Sequence, residues 1–213
     1  MLETLLAAAR PWLAPVFTLW GSPLTGLEIV AFVVALAMVV ANVRVHWVAW
    51  PLAIASSLMY ALLFADARLY GVAGLQFAFV AVALWGWWQW LRGKGDGGAP
   101  LVVHRLPRRA WAPVIGATLA GWVGLALLLD HATDSPVPWF DALPTAASIT
   151  GQLLLARKCL ESWPTWLAVN ILSVALFAYK ALWLAAVLYA LFAVLSVVGW
   201  RVWRGRLAEQ ARG

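Results

Sequence analysis

Four polar side chains that can hydrogen-bond a ligand lie inside long apolar stretches of this chain: Gln76, Ser148, Gln152 and Asn170. A polar group among apolar neighbours is costly, which makes each of them a candidate for a functional site. Ser148 and Gln152 are four residues apart and share one helix face, as do Trp166 and Asn170. Hydrogen bonding and aromatic stacking suit a flat solute with a ring better than an ion. The alternative for each amide is a hydrogen bond between helices that only stabilises the bundle.

Tryptophan is the second candidate binding group, with 16 residues in a chain of 213. Trp50 and Trp166 each end a Trp-x-x-Trp motif, and we predict that they contact the ring of the solute. A second motif, Gly-Trp-x-x-Trp, predicts a gate or cytoplasmic exit lined by Trp87, Trp90, Trp200 and Trp203. Trp87 lies about 16 Å along a helix from Gln76, which is too far for one small solute to contact both.

The residues that enzymes and metal sites require are missing or scattered. The chain has no Gly-x-Ser-x-Gly, no His-Glu-x-x-His and no phosphate-binding loop. Cys159 is the single cysteine, so there is no disulfide framework and no cysteine-based metal site. The histidines, His46, His104 and His131, are far apart in the chain. We therefore predict that the protein is not an enzyme and holds neither a metal nor a cofactor.

The composition indicates that lipid surrounds the elements that position these residues. The chain is 64% hydrophobic and only 11% charged, whereas a soluble domain has about 25% charged residues. A membrane-spanning helix needs about 20 largely apolar residues. Seven stretches qualify, at 24–43, 47–65, 70–91, 111–129, 140–158, 163–179 and 182–203. The apolar spacing before them predicts a short helix at the membrane interface.

The positions of the cations predict how the chain crosses the membrane. Twelve of the fifteen lysines and arginines fall on one side of the predicted spans, and only Arg10, Arg68 and Lys180 fall on the other. Cytoplasmic loops carry such an excess, so we predict a multi-pass protein of the bacterial inner membrane with its N-terminus outside and its C-terminus in the cytoplasm. The net charge of +6 therefore reflects membrane topology, and we expect no nucleic-acid partner.

Two tryptophan motifs recur in the same order and predict an internal repeat. Residues 47–50 match 163–166 at an offset of 116, and residues 86–90 match 199–203 at an offset of 113. A deletion of three residues before the last span would explain the difference between the two offsets. The pattern predicts two three-helix repeats joined by a connecting helix, which gives both repeats the same orientation in the membrane. Parallel repeats occur in transporters, with the substrate site near the membrane midplane.

These predictions divide the chain into six parts. They are an N-terminal interfacial segment at 1–22, a first repeat at 23–91, a cytoplasmic linker at 92–110, a connecting helix at 111–130, a second repeat at 131–203 and a cytoplasmic tail at 204–213. The linker is rich in glycine, proline and charge.

Two stretches, 69–90 and 154–178, resemble the PnuC family of vitamin transporters, whose best-known members carry nicotinamide riboside. The similar positions are Leu69-Tyr70, Gln76 and the Gly-Trp-x-x-Trp end of the first stretch, and Arg157-Lys158, Glu161, Trp163, Trp166, Asn170 and Ser173 of the second. The resemblance covers roughly 24–203, apart from the linker and the connecting helix. It departs from the family at Ile54, where some members have an asparagine that echoes Asn170.

The resemblance implies an all-α, seven-helix membrane protein in a 3+1+3 arrangement with parallel repeats, like that of SWEET transporters. It also implies homotrimers in the lipid bilayer and facilitated uptake of an unphosphorylated vitamin by alternating access. Phosphorylation by a separate cytosolic enzyme would then trap the vitamin. Nicotinamide riboside is the first expectation, and thiamine or riboflavin is the alternative within the family. A membrane scaffold or sensor that transports nothing is the alternative of another class.

Overall fold

The structure is a computed structural model that describes residues 9–19, 22–66, 70–94, 98–132, 137–179 and 183–212. These residues form one β-hairpin and seven helices of 18 residues or more. The elements are β1 (Pro15–Leu19), β2 (Ser22–Thr25), α1 (Gly26–Val43), α2 (Ala49–Asp66), α3 (Tyr70–Arg92), α4 (Arg108–Ala132), α5 (Pro138–Ala156), α6 (Ser162–Tyr179) and α7 (Trp183–Gln210). Each of the seven apolar stretches falls on one of these helices.

Five of the helices are long and apolar enough to cross a membrane, as judged from the described residues. They are α1, α2, α4, α6 and α7. The other two helices, α3 and α5, carry more tryptophan, glycine and hydroxyl side chains. Helix α7 continues past the predicted span to Gln210, so most of the predicted tail at 204–213 is helical.

Alanine dominates the buried side chains, and large apolar side chains are exposed. Ala31 and Ala35 are buried on α1 and Ala142 on α5, whereas Leu119 and Leu128 are exposed on α4. Small residues let helix backbones approach each other closely where no hydrophobic effect drives them together. Exposed apolar side chains suit helices that face lipid.

A short hairpin precedes α1, which the sequence analysis did not predict. Residues 9–13 are helical, and β1 then pairs antiparallel with β2, with Phe17 opposite Leu24. The β-branched and aromatic residues of β1, which include Val16, favour an extended chain. The first part of the predicted interfacial helix, residues 1–8, lies outside the described residues.

A capping box begins α1. The Glu28 amide donates to the Thr25 hydroxyl at 3.2 Å, and the Thr25 amide donates to the Glu28 carboxylate at 2.8 Å. Each side chain thus satisfies a backbone donor that the start of a helix leaves without a partner. This arrangement gives Glu28 a local structural role.

The chain divides into two compact units, Met1–Trp87 and Trp88–Gly213. In the first unit, α1 packs on α2. In the second unit, α4 packs on α5, α5 on α6, and α6 on α7. A hydrogen bond of 2.7 Å between the Thr118 and Thr150 hydroxyls helps to hold α4 on α5.

The two units contain the same turn. Val45 and Lys158 have left-handed backbones, with φ of 56° and 55°. The Val45 amide donates to the Asn42 carbonyl at 3.0 Å, and the Lys158 amide donates to the Leu155 carbonyl at 2.9 Å. A helix of 18 residues follows in each case, and α2 and α6 are also offset by 113 residues.

Packing against glycine repeats at the same offset and corrects the predicted register. Trp50 lies on Gly86 in the first unit, and Trp163 lies on Gly199 in the second. A single offset of 113 therefore relates the turns, helices and packing contacts. The predicted offset of 116 and the deletion of three residues were wrong. A shift of three residues keeps a side chain on nearly the same helix face, so the Trp-x-x-Trp motifs align almost as well in the wrong register.

Candidate functional site

The predicted binding residues are distributed over both units. Trp50 on α2 and Gln76 on α3 belong to the first unit. The second unit holds the rest, namely Ser148 and Gln152 on α5 and Trp166 and Asn170 on α6. The structure therefore shows the second group as a set on two helices that pack together.

Trp50 is deeply packed, because its side chain is only 1% exposed. A Cβ atom built on Gly86 would lie less than 3.0 Å from three atoms of the Trp50 ring. At the offset of 113, its counterpart is Trp163 and the counterpart of Trp166 is Ala53, so Trp50 and Trp166 are not a symmetric pair. In this conformation, Trp50 reaches a solute only if the packing of α2 on α3 opens.

Gln76 is partly buried on α3. Ala73 and Ala83 are buried and lie on the same helical stripe, three residues before it and seven after it. Phe77, the next residue, is exposed. Gln76 thus lies on the face of α3 that carries its buried residues.

The interface between α5 and α6 combines a tryptophan with an amide. The indole of Trp166 lies over Gly151, where an added Cβ would be 3.1 Å from Cε2 and 3.2 Å from Nε1. The next residue, Gln152, is buried. The Ser148 hydroxyl donates to the Pro144 carbonyl at 2.7 Å. Ser148 therefore keeps its lone pairs for a ligand but has already used its proton.

Asn170 is buried on α6 and makes a hydrogen bond to α7. Its Nδ2 donates to the Ser196 Oγ at 3.1 Å, and the Ser196 hydroxyl donates to the Phe192 carbonyl at 2.8 Å. Sequence reasoning missed Ser196, although a serine inside an apolar stretch is a signal of the kind that selected Ser148. At the offset of 113, Asn170 corresponds to Ser57 rather than to Ile54, so the predicted comparison with Ile54 was in the wrong register.

The four gate tryptophans have different surroundings. Trp87 stacks on Trp47 within the first unit, with ring centroids 6.2 Å apart and planes 4° from parallel. In the second unit, Trp90 and Trp203 have centroids 6.3 Å apart. Trp200 is exposed, and the Arg204 guanidinium lies 5.0 Å from its ring centroid. The structure thus pairs Trp90 with Trp203 and leaves Trp200 on an outer face of α7.

Trp203 is the centre of an aromatic cluster and is fully buried. Its ring meets the Trp163 ring edge-to-face, with centroids 5.5 Å apart. The Trp90 Nε1 donates to the Leu155 carbonyl at 3.2 Å. These contacts join the ends of α3, α5, α6 and α7 within the second unit.

The predicted linker makes specific contacts in the second unit. Residues 101–106, here called the strap, run beside the loop between α5 and α6. The His104 amide donates to the Lys158 carbonyl at 3.1 Å, and the Leu160 amide donates to the His104 carbonyl at 2.8 Å. The Leu106 amide donates to the Glu161 carboxylate at 2.8 Å. Sequence reasoning missed the strap because its partners lie more than 50 residues away.

Lys158 joins the strap to the aromatic cluster. Its Nζ donates to the Leu101 carbonyl at 2.9 Å and lies 5.0 Å from the centroid of the Trp90 ring. Burial lowers the pKa of Lys158 from its usual value, and the charge of Arg206 lowers it further. The carbonyl and the ring favour the ammonium form of Lys158 and therefore act against that shift.

Cys159 lies beside the strap, with its Sγ 3.5 Å from the His104 Nε2. Burial, and then the negative charge of Glu161, raises the pKa of the Cys159 thiol to about 11, and Arg157 acts weakly in the opposite sense. The thiol is therefore protonated near neutral pH and is a poor nucleophile. Among the described residues, no group of three or more His, Cys, Asp or Glu side chains could hold a metal ion.

Apolar helices with exposed large side chains, a repeated helical unit and buried amides define a multi-pass membrane protein of the transporter class. Residues 25–205 match the family model described as nicotinamide mononucleotide transporter. The chain belongs to this family, which includes the PnuC vitamin transporters, and the family resemblance is confirmed.

Relatives in the family carry different vitamins. The chain is 22% identical over 176 residues to the nicotinamide riboside transporter PnuC of Escherichia coli (strain K12), covering 71% of this chain and 74% of that one. It is 29% identical over 206 residues to the riboflavin/roseoflavin transporter RibM of Streptomyces davaonensis, covering 94% and 95%. It also matches a crystal structure of the vitamin B3 transporter PnuC with a TM-score of 0.68 and 25% identity, covering 84% and 80%.

Proposed function

We propose that this protein is a facilitative transporter that takes up nicotinamide riboside across the bacterial inner membrane. The observation that carries the proposal is the interface of α5 and α6, where Trp166 lies beside the buried amide Gln152 and one turn before Asn170. Nicotinamide riboside carries a flat ring, an amide and hydroxyl groups, which match a tryptophan and polar side chains in a largely apolar site. Relatives named for this vitamin support the choice.

In this proposal, the binding residues act by hydrogen bonding and ring contact. Gln76, Gln152, Ser148 and Asn170 hydrogen-bond the amide and the ribose, and Trp166 and Trp50 contact the ring. Trp87, Trp90, Trp200 and Trp203 act at the gate or cytoplasmic exit. We place the three-helix repeats in a 3+1+3 arrangement, and they expose the site to each side in turn. Binding is moderate, because a solute that is held too tightly is not released.

The membrane arrangement is part of the same proposal. The N-terminus lies outside, and the strap and the end of α7 lie in the cytoplasm, where the excess of Lys and Arg is expected. The protein is a homotrimer in the bilayer. A separate cytosolic enzyme phosphorylates the vitamin, and the charged product cannot leave by the same path.

Riboflavin is the second candidate substrate. The riboflavin/roseoflavin transporter RibM is 29% identical over 94% of this chain, a longer match than that with the PnuC of E. coli. Riboflavin also has a flat ring and a hydroxylated side chain, so the same tryptophan and amides suit it. Thiamine is the remaining vitamin alternative, and a scaffold or sensor without transport is the alternative of another class.

Uptake into proteoliposomes tests the proposal. Purified protein is reconstituted, and entry of labelled nicotinamide riboside is compared with entry into protein-free vesicles. We expect uptake that saturates and stops when the inside and outside concentrations are equal. Enclosing a nicotinamide riboside kinase with ATP should then drive accumulation. Uptake of riboflavin or thiamine alone would reassign the substrate, and no uptake of any of the three would favour the scaffold.

A further inference from the structure

The hydrogen bond between Asn170 and Ser196 is one of the most deeply buried polar contacts of the second unit. Asn170 is 3% exposed and Ser196 is 2% exposed. The Nδ2 of Asn170 and the Oγ of Ser196 are 3.1 Å apart, and they join α6 to α7. Both residues lie in apolar helices, where an unsatisfied polar group is costly.

The Ser196 hydroxyl determines which end of the Asn170 amide can face it. A serine hydroxyl has one proton to donate. That proton goes to the Phe192 carbonyl at 2.8 Å, which can only accept a hydrogen bond. Ser196 therefore presents lone pairs to Asn170, and the NH₂ end of the amide is the end that fits. A flipped amide would place two acceptors against each other.

The carbonyl Oδ1 of Asn170 is therefore held in one direction. Among the described residues, no donor is bonded to this atom. We propose that Ser196 is a positioning residue: it locks the amide so that the Asn170 Oδ1 accepts an N–H group from the ring end of the substrate. The inference rests on the proposed function in one respect, that a vitamin reaches Asn170.

This lock makes the site selective for substrates whose ring end can donate. The carboxamide of nicotinamide riboside donates through its NH₂ group. Nicotinic acid riboside has a carboxylate there, which at neutral pH has no proton and meets the Asn170 Oδ1 acceptor to acceptor. Riboflavin donates through its N3–H group, and 3-methylriboflavin does not. A site built for a donor rejects the analogue that lacks it, because the buried acceptor is left without a partner.

The test compares binding of these matched pairs to full-length variants in detergent by calorimetry. Ser196→Ala removes the lock, and Ser196→Thr keeps a hydroxyl that can bond in the same way. Ser56→Ala is the control, because Ser56 is also a buried serine but lies in the first unit. Ser196→Cys retains the volume of the side chain and serves as a second variant if Ser196→Ala does not purify as a folded protein.

We expect the unaltered protein to prefer the donating member of its pair by about tenfold or more. Ser196→Ala should reduce this ratio toward one, because the freed amide can turn its NH₂ group to the acid or the methylated ring. Ser196→Thr should restore the ratio, and Ser56→Ala should leave it unchanged. A ratio in Ser196→Ala equal to that of the unaltered protein would overturn the inference.

The two vitamin pairs separate this inference from the choice of substrate. If only the flavin pair binds and Ser196→Ala abolishes its selectivity, the proposed substrate is wrong and the positioning role stands. If nicotinamide riboside binds and its selectivity does not depend on Ser196, the proposed function stands and the positioning role is wrong. Failure of the unaltered protein to bind either pair would overturn both.

Discussion

The indole of Trp163 lies on the backbone of Gly199, and the indole of Trp50 lies on Gly86 in the same way. Each tryptophan is nearly inaccessible, and both contacts are related by an offset of 113 residues. Glycine is needed at these two positions because a side chain would occupy the volume of the ring. The contacts define a packing unit that occurs once in each half of the chain, with a large flat side chain on one helix and no side chain on the other.

Replacement of either glycine by alanine should destabilise the protein. The Cβ of Gly199→Ala would lie less than 3.0 Å from atoms of the Trp163 ring, and we expect a loss of about 1–3 kcal/mol from overpacking. Gly86→Ala should behave alike against Trp50. Melting of the purified protein in detergent measures the effect. Gly74→Ala is the control, because nothing lies within 4 Å of its Cβ. Equal melting of all three variants would contradict the packing role.

Gln76→Ala should weaken vitamin binding without unfolding the protein. Gln76 is partly buried on the inner stripe of α3, and removal of one hydrogen bond to a ligand costs about tenfold in affinity. Calorimetry with the transported vitamin gives the dissociation constant. Gln89→Ala changes the same residue type on the same helix and should keep the original affinity. An unchanged affinity in Gln76→Ala would remove Gln76 from the binding site.

Trp87→Ala should reduce the transport rate more than the binding affinity. Trp87 stacks on Trp47 near the end of α3, away from Gln76, and we propose that it acts at the gate. Initial rates in proteoliposomes and binding in detergent separate the two quantities. Trp88→Ala is the neighbouring control, because Trp88 is 54% exposed and is expected to face lipid. Equal losses of rate and affinity would argue against a gating role for Trp87.

Glu161→Ala should release the strap from the loop between α5 and α6. The Glu161 carboxylate accepts the Leu106 amide at 2.8 Å, and its loss leaves that end of the strap without its anchor. Trypsin can cut after Arg105, Arg108 and Arg109, so we expect cleavage there to become about tenfold faster as local opening becomes more frequent. Glu209→Ala removes an exposed carboxylate elsewhere and should not change the rate. A strap that remains equally resistant in Glu161→Ala would show that the remaining contacts hold it.

Cys159 should react slowly with iodoacetamide at pH 8 and faster only as the pH approaches 11. Its thiol has a pKa of about 11, so little thiolate is present below that value, and the side chain is only 2% exposed. Because the chain has one cysteine, mass spectrometry reads this site alone.

The same shift of the Cys159 pKa makes a contribution to stability that depends on pH. The folded pKa is above the ordinary value of 9.0, so this contribution is complete below pH 9 and is lost as the pH rises through about 11. Denatured protein labelled at pH 8 is the control and should react quickly. Rapid labelling of folded protein at pH 8 would show that Cys159 is not protected.

Much of the fold could be predicted because lipid imposes strong demands on sequence. A helix that crosses a membrane must be apolar over its length, so the seven stretches marked the positions of α1 to α7. Polar residues in such stretches are rare, and this rarity selected Gln152 and Asn170, which the structure buries. Their role in binding stays a prediction.

Other features depend on contacts between distant parts of the chain. The strap pairs residues 55 apart, such as Leu106 and Glu161, and no local pattern marks such a pair. The hairpin before α1 was missed for another reason, because its short strands lie in a segment whose apolar spacing also fits a helix. Tryptophan motifs could be aligned in two registers, and only the packing of Trp163 on Gly199 distinguished them.

The sequence by itself determined that the chain is a helical membrane protein, where its helices lie and which vitamin transporter family it resembles, because hydrophobic length and short motifs are local properties. Only the tertiary structure decided what each polar or aromatic side chain meets. It buried Trp50 on Gly86, left Trp200 exposed and directed the Asn170 amide through Ser196. These outcomes depend on which helix faces come into contact, and that is set by close packing between residues far apart in the chain.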